Sequence, residues 1–294
     1  MVKRLPRVCP LNISGKTCEI VQRTGSVRDF PNVKILECLN CGVTFHESDL
    51  SHKVNYPAGT MNAWQPDKYI STPVPDEDDK RRGDFFRSLF PRNRSEIQVL
   101  DFGSGKGNLL FELKDEFDVE GIEIDLEARI STQKLGFTVY ESLDPLEKLG
   151  KKFDVISLIH VIEHIYQPIE KLKRLSNLLK QGGSLIIETP NADDALLTKY
   201  ECKEFQNWTY WSHHPILYNY LGMHNLLQAA NLKIISNESV QRYNLANHLY
   251  WLSNGKPGGH TFWKATFSDE INELYKSALF NENSNDTIFV RVSK

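Results

Sequence analysis

The 294-residue sequence has no marked excess of charge: 35 Lys and Arg against 38 Asp and Glu leave a formal charge of −3 and a pI near 6.3. A basic footprint for nucleic acid is therefore missing, and no nucleic-acid partner is expected. No apolar run approaches the ~20 residues that cross a bilayer, so no membrane span is expected. The opening stretch MVKRLPRVCPLN is basic but has no apolar core, so a cytoplasmic chain without a secretory signal is expected. Cysteine is scarce, with five in the chain. Four of them, Cys9, Cys18, Cys38 and Cys41, fall close to the N-terminus, and Cys202 stands apart. Without an export signal, that crowding reads as metal binding before disulfides. Hydrophobic residues make up 40% and charged residues 25%, enough for one large domain and a small one.

The chain divides by pattern. Residues 1–50 carry the cysteines and short strand-like runs, CEIVQR and VKILECLN. Residues 51–95 are rich in Pro, Asp and aromatics and read as a linker or lid, with a short helix over GDFFRSLF (83–90). From 96 to 294 strands and helices alternate: IQVLDFG, NLLFELKDE, VEGIEID, LEARISTQKLG, FTVYE, FDVISLI, QPIEKLKRLSNLLKQGG, SLIIET, LYNYLGMHNLLQAAN, LKIISNESV and DTIFVRV. Ile169, Leu172, Leu175, Leu178 and Leu179 are expected on one helix face. Runs apolar on both faces predict an α/β fold with a parallel sheet covered on both sides. The interval 241–285 is too long for a plain connection and reads as a substrate-facing insertion.

VLDFGSGKGNLL places Gly103, Ser104, Gly105 and Gly107 between a strand and a helix, where backbone amides can face a ligand. The loop is not a Walker A, because no G-K-[ST] closes it. It is not G-x-G-x-x-G either, because position 108 is Asn. Asp101 sets a carboxylate beside the loop, suited to a cationic amino group. Glu123, at the tip of the next strand, is placed to accept from ribose hydroxyls. A ribose and a cationic amino acid without a diphosphate describe S-adenosylmethionine.

VLDFGSGKG, GIEID, FDVISLIHVIEHI and GGSLIIETPN, in this order, resemble the class I S-adenosylmethionine-dependent methyltransferases. The resemblance covers residues 96–191. It implies a Rossmann-like seven-stranded sheet with an antiparallel last strand. It also implies cofactor contacts by Asp101, Gly103, Ser104, Gly105, Gly107, Glu123, Ile124, Ser142, Leu143 and His160, with Ser142 and Leu143 near adenine. The N-terminal residues resemble the zinc-binding, zinc-ribbon-like module of bacterial methyltransferases acting on nucleotide sugars and polysaccharide precursors, although Asn12 stands where that family usually has a cysteine. Cys38-Leu-Asn-Cys41-Gly is a zinc knuckle by spacing. Cys9 would join it, and either Cys18 or His46 would complete the site, unless the cysteines are a metal-free remnant.

Methyl transfer needs an oriented nucleophile and, for a hydroxyl, a base. His214 and His160 are the leading candidates, with His164 and His213 beside them. Trp211, Arg242, His248, Lys256 and His260 lie among aromatics and glycines, as in a pocket for a sugar-like, phosphorylated acceptor. The expected reaction is O-methylation of such an acceptor. C-methylation of a keto-sugar nucleotide, a quinone- or lipid-type O-methyltransferase and a non-catalytic partner protein are the alternatives. One string invites another reading: His160-Val-Ile-Glu163-His164 is a literal H-x-x-E-H. A zinc hydrolase would need a sustained helix there. A buried strand instead runs into His160, and Pro168 forbids a continuous helix through His164. The string is expected to be a strand-to-helix turn, with zinc, if bound, at the cysteines.

Overall fold

The computed structural model describes residues 8–12, 18–53, 73 and 75–294. Most of the stretch read as a linker or lid, 54–72 and 74, lies outside the described residues. Strands β1 (Ile20–Val27), β2 (Phe30–Cys38) and β3 (Val43–His46) come first, then helix α1 (Glu77–Leu89). The alternating part runs β4 (Gln98–Phe102), α2 (Asn108–Leu113), β5 (Asp118–Ile122), α3 (Leu126–Lys134), β6 (Thr138–Tyr140), α4 (Asp144–Lys148), β7 (Phe153–Ile159), α5 (Pro168–Asn177) and β8 (Leu179–Pro190). It continues with α6 (Lys203–Thr209), β9 (Ile216–Tyr218), α7 (Tyr220–Ala229), β10 (Lys233–Val240), α8 (Leu245–Asn254), α9 (Gly259–Phe262), α10 (Asp269–Asn281) and β11 (Thr287–Ser293).

Seven strands form the main sheet in the order β10-β11-β8-β7-β4-β5-β6. Only β11 runs antiparallel to its neighbours β8 and β10. β4 pairs in parallel with both β5 and β7, so the chain turns outward on one side of β4 and returns on the other. The crevice at that switch point, beyond the carboxyl ends of the strands, is where such sheets bind ligands. Leu100, Ile156 and Leu185 join the core on one face, with Leu172 and Leu175 of α5 and Leu226 of α7. Val99, Val155 and Ile186 join the core on the other, with Phe86 of α1 and Leu109 and Leu113 of α2.

The first helix is longer than GDFFRSLF suggests, because Asp76 and Asp79 close a capping box ahead of it. α5 stops at Asn177. Leu179, expected on its apolar face, instead begins β8 and pairs with Phe153. Leu217 and Tyr218, read as the start of a helix, form β9. That strand belongs to the second sheet, β1-β2-β3-β9, through Val43 opposite Tyr218 and Phe45 opposite Ile216. The N-terminal module therefore takes its fourth strand from the larger part of the chain. Residues 241–285 hold three helices, α8 to α10.

Two glycines weld these parts together. Gly42 follows the Cys38–Cys41 turn at φ +71, and a Cβ there would meet Gly222 N at 2.5 Å. A Cβ on Gly222 would lie 2.1 Å from the Gly42 carbonyl oxygen. The cysteine turn can therefore press against the first turn of α7. There Asn219 N donates to Gly42 O, and Asn225 donates to Cys41 O.

Candidate active site

A cavity of about 350 Å³ opens at the ends of β4, β5 and β7. Phe102, Gly103, Gly105, Glu123, Ile124, Ser142, Leu143, His160 and His164 line it. Most of the residues expected at a cofactor site are thus brought together. Asp101 lies beneath, 4% exposed, and accepts a 2.7 Å hydrogen bond from Ser157 Oγ. Burial raises its carboxyl to about 6, against the ordinary 3.8. Glu123 accepts from Gly105 N and Asp125 N, one amide on each oxygen, both at 2.7 Å. Burial raises its pKa too, and those amides oppose the rise. Each carboxylate oxygen keeps a second acceptor position for a ribose hydroxyl.

Three observations fit these residues to S-adenosylmethionine. An added Cβ at Gly105 meets nothing within 4 Å, so the loop leaves an open cradle there. Glu123 keeps acceptor positions open at the cavity wall. Asp101 is a buried carboxylate whose charge an ammonium group would stabilise. Gly107 N-caps α2 in the left-handed region and packs on Thr132.

The H-x-x-E-H string is a turn, as expected. His160 sits at φ +53 after β7, Ile162–His164 form a single 3-10 turn, and α5 starts at Pro168. Glu163 is 1% exposed and accepts from Thr189 Oγ1 at 2.9 Å. Burial opposes its charge, but His160, His164 and His214 outweigh burial and pull it down to about 2. His164 and His214 meet edge to face at 4.8 Å. Burial lowers the pKa of both, that of His214 to about 4. His160 differs: burial lowers its basicity, but the carboxylates of Glu163 and Glu188 more than offset this and raise it. His213, although adjacent to His214 in sequence, turns to the N-terminal module. It stacks on Trp211 at 4.0 Å, beside Ser212 and Asp29.

One ion-pair network could not be anticipated from the sequence. Glu188, fully buried at the end of β8, receives Arg81 and Arg82 from α1 at 2.9 and 2.7 Å. Arg82 also pairs with Asp79, which accepts from Asn108 at the start of α2. The network fixes α1 over the sheet edge beside the glycine loop.

Of the residues expected to face the acceptor, Arg242 approaches the site. It pairs with Asp78 at 2.7 Å and donates to His160 Nε2 at 2.9 Å, so its charge is already matched. With His160, His214, Phe205, Trp208 and Tyr243 it lines a second cavity of about 140 Å³. His248 instead is buried in α8, bonded to Tyr275 and Gln241, and burial pulls it down to about 4. Lys256 and His260 are exposed, and Trp211 supports His213. None of these four lines either cavity.

A third cavity, about 670 Å³, lies between the N-terminal module and α5. It shares Ile165, Lys171 and Arg174 with the cavity at the glycine loop. Arg174 is matched by Asp144 and Glu147. Lys171 lies over the Phe102 ring, 5.8 Å from its centre, and burial lowers its pKa.

The four N-terminal cysteines converge. Cys9, Cys18, Cys38 and Cys41 present sulfurs within 4.8 Å of one another, and Cys18 Sγ lies 3.7 Å from Cys41 Sγ. Cys18, not His46, completes the set, and His46 lines the cavity of about 670 Å³. Burial raises Cys9, and burial with the neighbouring thiols raises Cys18 to about 12. A soft cation fits such a set, because it takes up four thiolates that otherwise repel one another.

Residues 77–237 match the profile of a family described as a methyltransferase domain. Among curated proteins, the chain is similar to the ubiquinone biosynthesis O-methyltransferase of Roseobacter denitrificans, 29% identical over 133 residues (42% of this chain, 50% of that one). The Ruegeria pomeroyi protein of the same name is 31% identical over 119 residues (37% and 48%). The chain spans about half the length of the curated relatives it matches. Among solved structures, a SAM dependent methyltransferase from Archaeoglobus fulgidus superposes with a TM-score of 0.47 at 19% identity (74% of this chain, 94% of that one). CalS10, an amino pentose methyltransferase from Micromonospora echinaspora, gives 0.34 at 22% identity (38% and 50%).

Proposed function

Because this chain belongs to the methyltransferase-domain family, we propose that it methylates a hydroxyl of a small, anionic, sugar-like or phosphorylated acceptor. The enzyme class, an S-adenosylmethionine-dependent methyltransferase, follows from family and fold. The acceptor and the roles of individual residues are the proposed part.

When bound, S-adenosylmethionine supplies an electrophilic methyl group on its sulfonium. Asp101 would hold the ammonium of the methionine part, the Gly103–Gly107 loop its backbone, Glu123 the ribose, and Ser142 with Leu143 the adenine. His160 would take the acceptor proton at Nε2 once the acceptor hydroxyl replaces Arg242 there, while Nδ1 faces Glu163 at 3.5 Å. Arg242 and Glu163 orient it.

The observation that carries the anionic acceptor is Lys171. Its ammonium makes no hydrogen bond or salt bridge among the described residues, and it stands where the cavity beside the N-terminal module meets the cavity at the glycine loop. A phosphate there would complete its charge. A phenolic acceptor is the second reading, favoured by the relatives named for ubiquinone biosynthesis. Cys9, Cys18, Cys38 and Cys41 would hold a structural zinc ion.

Labelled S-adenosylmethionine screened against nucleotide sugars, sugar phosphates and catechols tests both readings. Label in a phosphorylated sugar, located by mass and NMR, supports the first. Label confined to catechols overturns it in favour of the second.

A further inference from the structure

Methyl transfer as described leaves His164 and His214 without a task and gives Glu163 only the orienting of His160. They come from separate segments, the turn after β7 and the loop between α6 and β9. One carboxylate oxygen and one ring nitrogen from each histidine nevertheless lie within 4.8 Å of one another. His164 Nδ1 lies 2.6 Å from the His213 carbonyl oxygen, and His214 Nδ1 lies 2.8 Å from that of Thr209. A carbonyl only accepts, so Nδ1 is the donor in both rings and Nε2 carries the lone pair. Metal-binding histidines are oriented in this way, through a bond from the ring nitrogen that does not ligate. Glu163 is oriented in turn by Thr189.

From this geometry we propose that Glu163, His164 and His214 form a divalent-metal site, distinct from the cysteine cluster, between the cavity at the glycine loop and the smaller cavity lined by Arg242. Two imidazoles and a carboxylate leave positions open to other ligands and suit Mn²⁺, Fe²⁺, Co²⁺ or Zn²⁺. Ligand bonds of about 2.1 Å require the three side chains to close by about an ångström. His164 lines the cavity at the glycine loop and His214 the smaller one. An ion there would face both cavities, and could bind an acceptor oxygen placed between them. That role, binding the acceptor oxygen, rests on the proposed function, whereas the site itself does not. The set is not the helical H-x-x-E-H of a zinc hydrolase, because His160 is not a member and His214 lies fifty residues further along the chain.

Mn²⁺ is the probe of choice, because it favours nitrogen and oxygen over the thiolates of the cysteine cluster. Titration of the full chain, followed by the EPR signal of free Mn²⁺, is expected to show one site. Pulsed EPR of the bound ion in the unaltered protein should show nitrogen couplings from imidazole. Affinity should fall at least about tenfold in His214→Asn and Glu163→Gln, and should hold in Cys38→Ser. Because Glu163→Gln disturbs a buried group, the couplings in the unaltered protein carry the test if that variant does not fold. No bound Mn²⁺, bound Mn²⁺ without nitrogen couplings, or unchanged affinity in folded His214→Asn overturns the site. Calorimetry with S-adenosylmethionine on the same metal-free protein keeps the two readings apart. Cofactor binding without Mn²⁺ binding removes the metal site alone, and Mn²⁺ binding without cofactor binding removes the cofactor reading alone.

Discussion

Asp101→Asn should make the ligand-free protein more stable and a poorer cofactor binder. Asp101 is buried, and its carboxyl is raised from 3.8 to about 6, with burial the largest cause. A carboxyl raised in the folded state binds its proton more tightly there than in the unfolded chain. Its ionisation therefore costs stability, and the cost grows as pH rises from about 4 to about 6. A shift of about two units is worth about 3 kcal/mol above pH 7, about half of that at pH 5, and almost nothing below pH 4. Asparagine keeps the shape and can still accept from Ser157 Oγ. The variant should unfold about 5 °C higher at pH 8, since about 3 kcal/mol spread over a chain of this length shifts Tm by roughly that much. The gain should halve at pH 5. Calorimetry at pH 8 should show S-adenosylmethionine binding about 10- to 100-fold more weakly, the value of a hydrogen bond to a charged group. Thermal unfolding at the two pH values reads the first effect. A variant equally destabilised at both, or one that binds the cofactor as tightly as the parent, would refute the reasoning.

Lys171→Ala should raise KM for a phosphorylated acceptor about tenfold, the equivalent of about 1.4 kcal/mol, while the cofactor Kd stays within about twofold. Initial rates and calorimetry separate the two. Elemental analysis of the purified chain should find about one zinc ion per chain, and Cys38→Ser should lose it together with thermal stability. Gly222→Ala should cost about 3 kcal/mol, because the new methyl meets the Gly42 carbonyl oxygen at 2.1 Å and neither backbone can easily move. Denaturant unfolding checks it, and a loss below about 1 kcal/mol would mean the contact relaxes freely.

Strands β4 to β7 and helices α2 and α3 were legible because local pattern determines them, while the short helix α4 was not read. An apolar run ends in glycines, a helix opens, and an acid stands about twenty residues on. The errors came where local pattern is ambiguous. Leu178 and Leu179 extend the leucine stripe of α5, yet pairing with Phe153 makes Leu179 a strand residue. Leu217 and Tyr218 run into the apolar face of α7, and only the partner strand β3, far away in sequence, makes them β9. Long-range charge pairing has no local trace at all: Glu188 and its arginines stand 106 and 107 residues apart. Adjacent His213 and His214 look equivalent in sequence. The tight turn that closes His214 N on Trp211 O sends one to the N-terminal module and the other to the site.

The shared strand β9 carries a consequence for any shortened version of the protein. A chain cut to begin near residue 96 keeps all seven strands of the main sheet and the whole glycine loop. It loses β3, however, and leaves the edge of β9 unpaired beside Ile216 and Tyr218, which are both buried in the intact chain. Unpaired edges of this kind invite pairing between molecules. His214 stands two residues before that edge. Truncation would therefore give a fragment that self-associates through the very segment that carries one wall of the cavity lined by Arg242 and His214. The small sheet is a cover for the larger one's chemistry rather than an appendage to it.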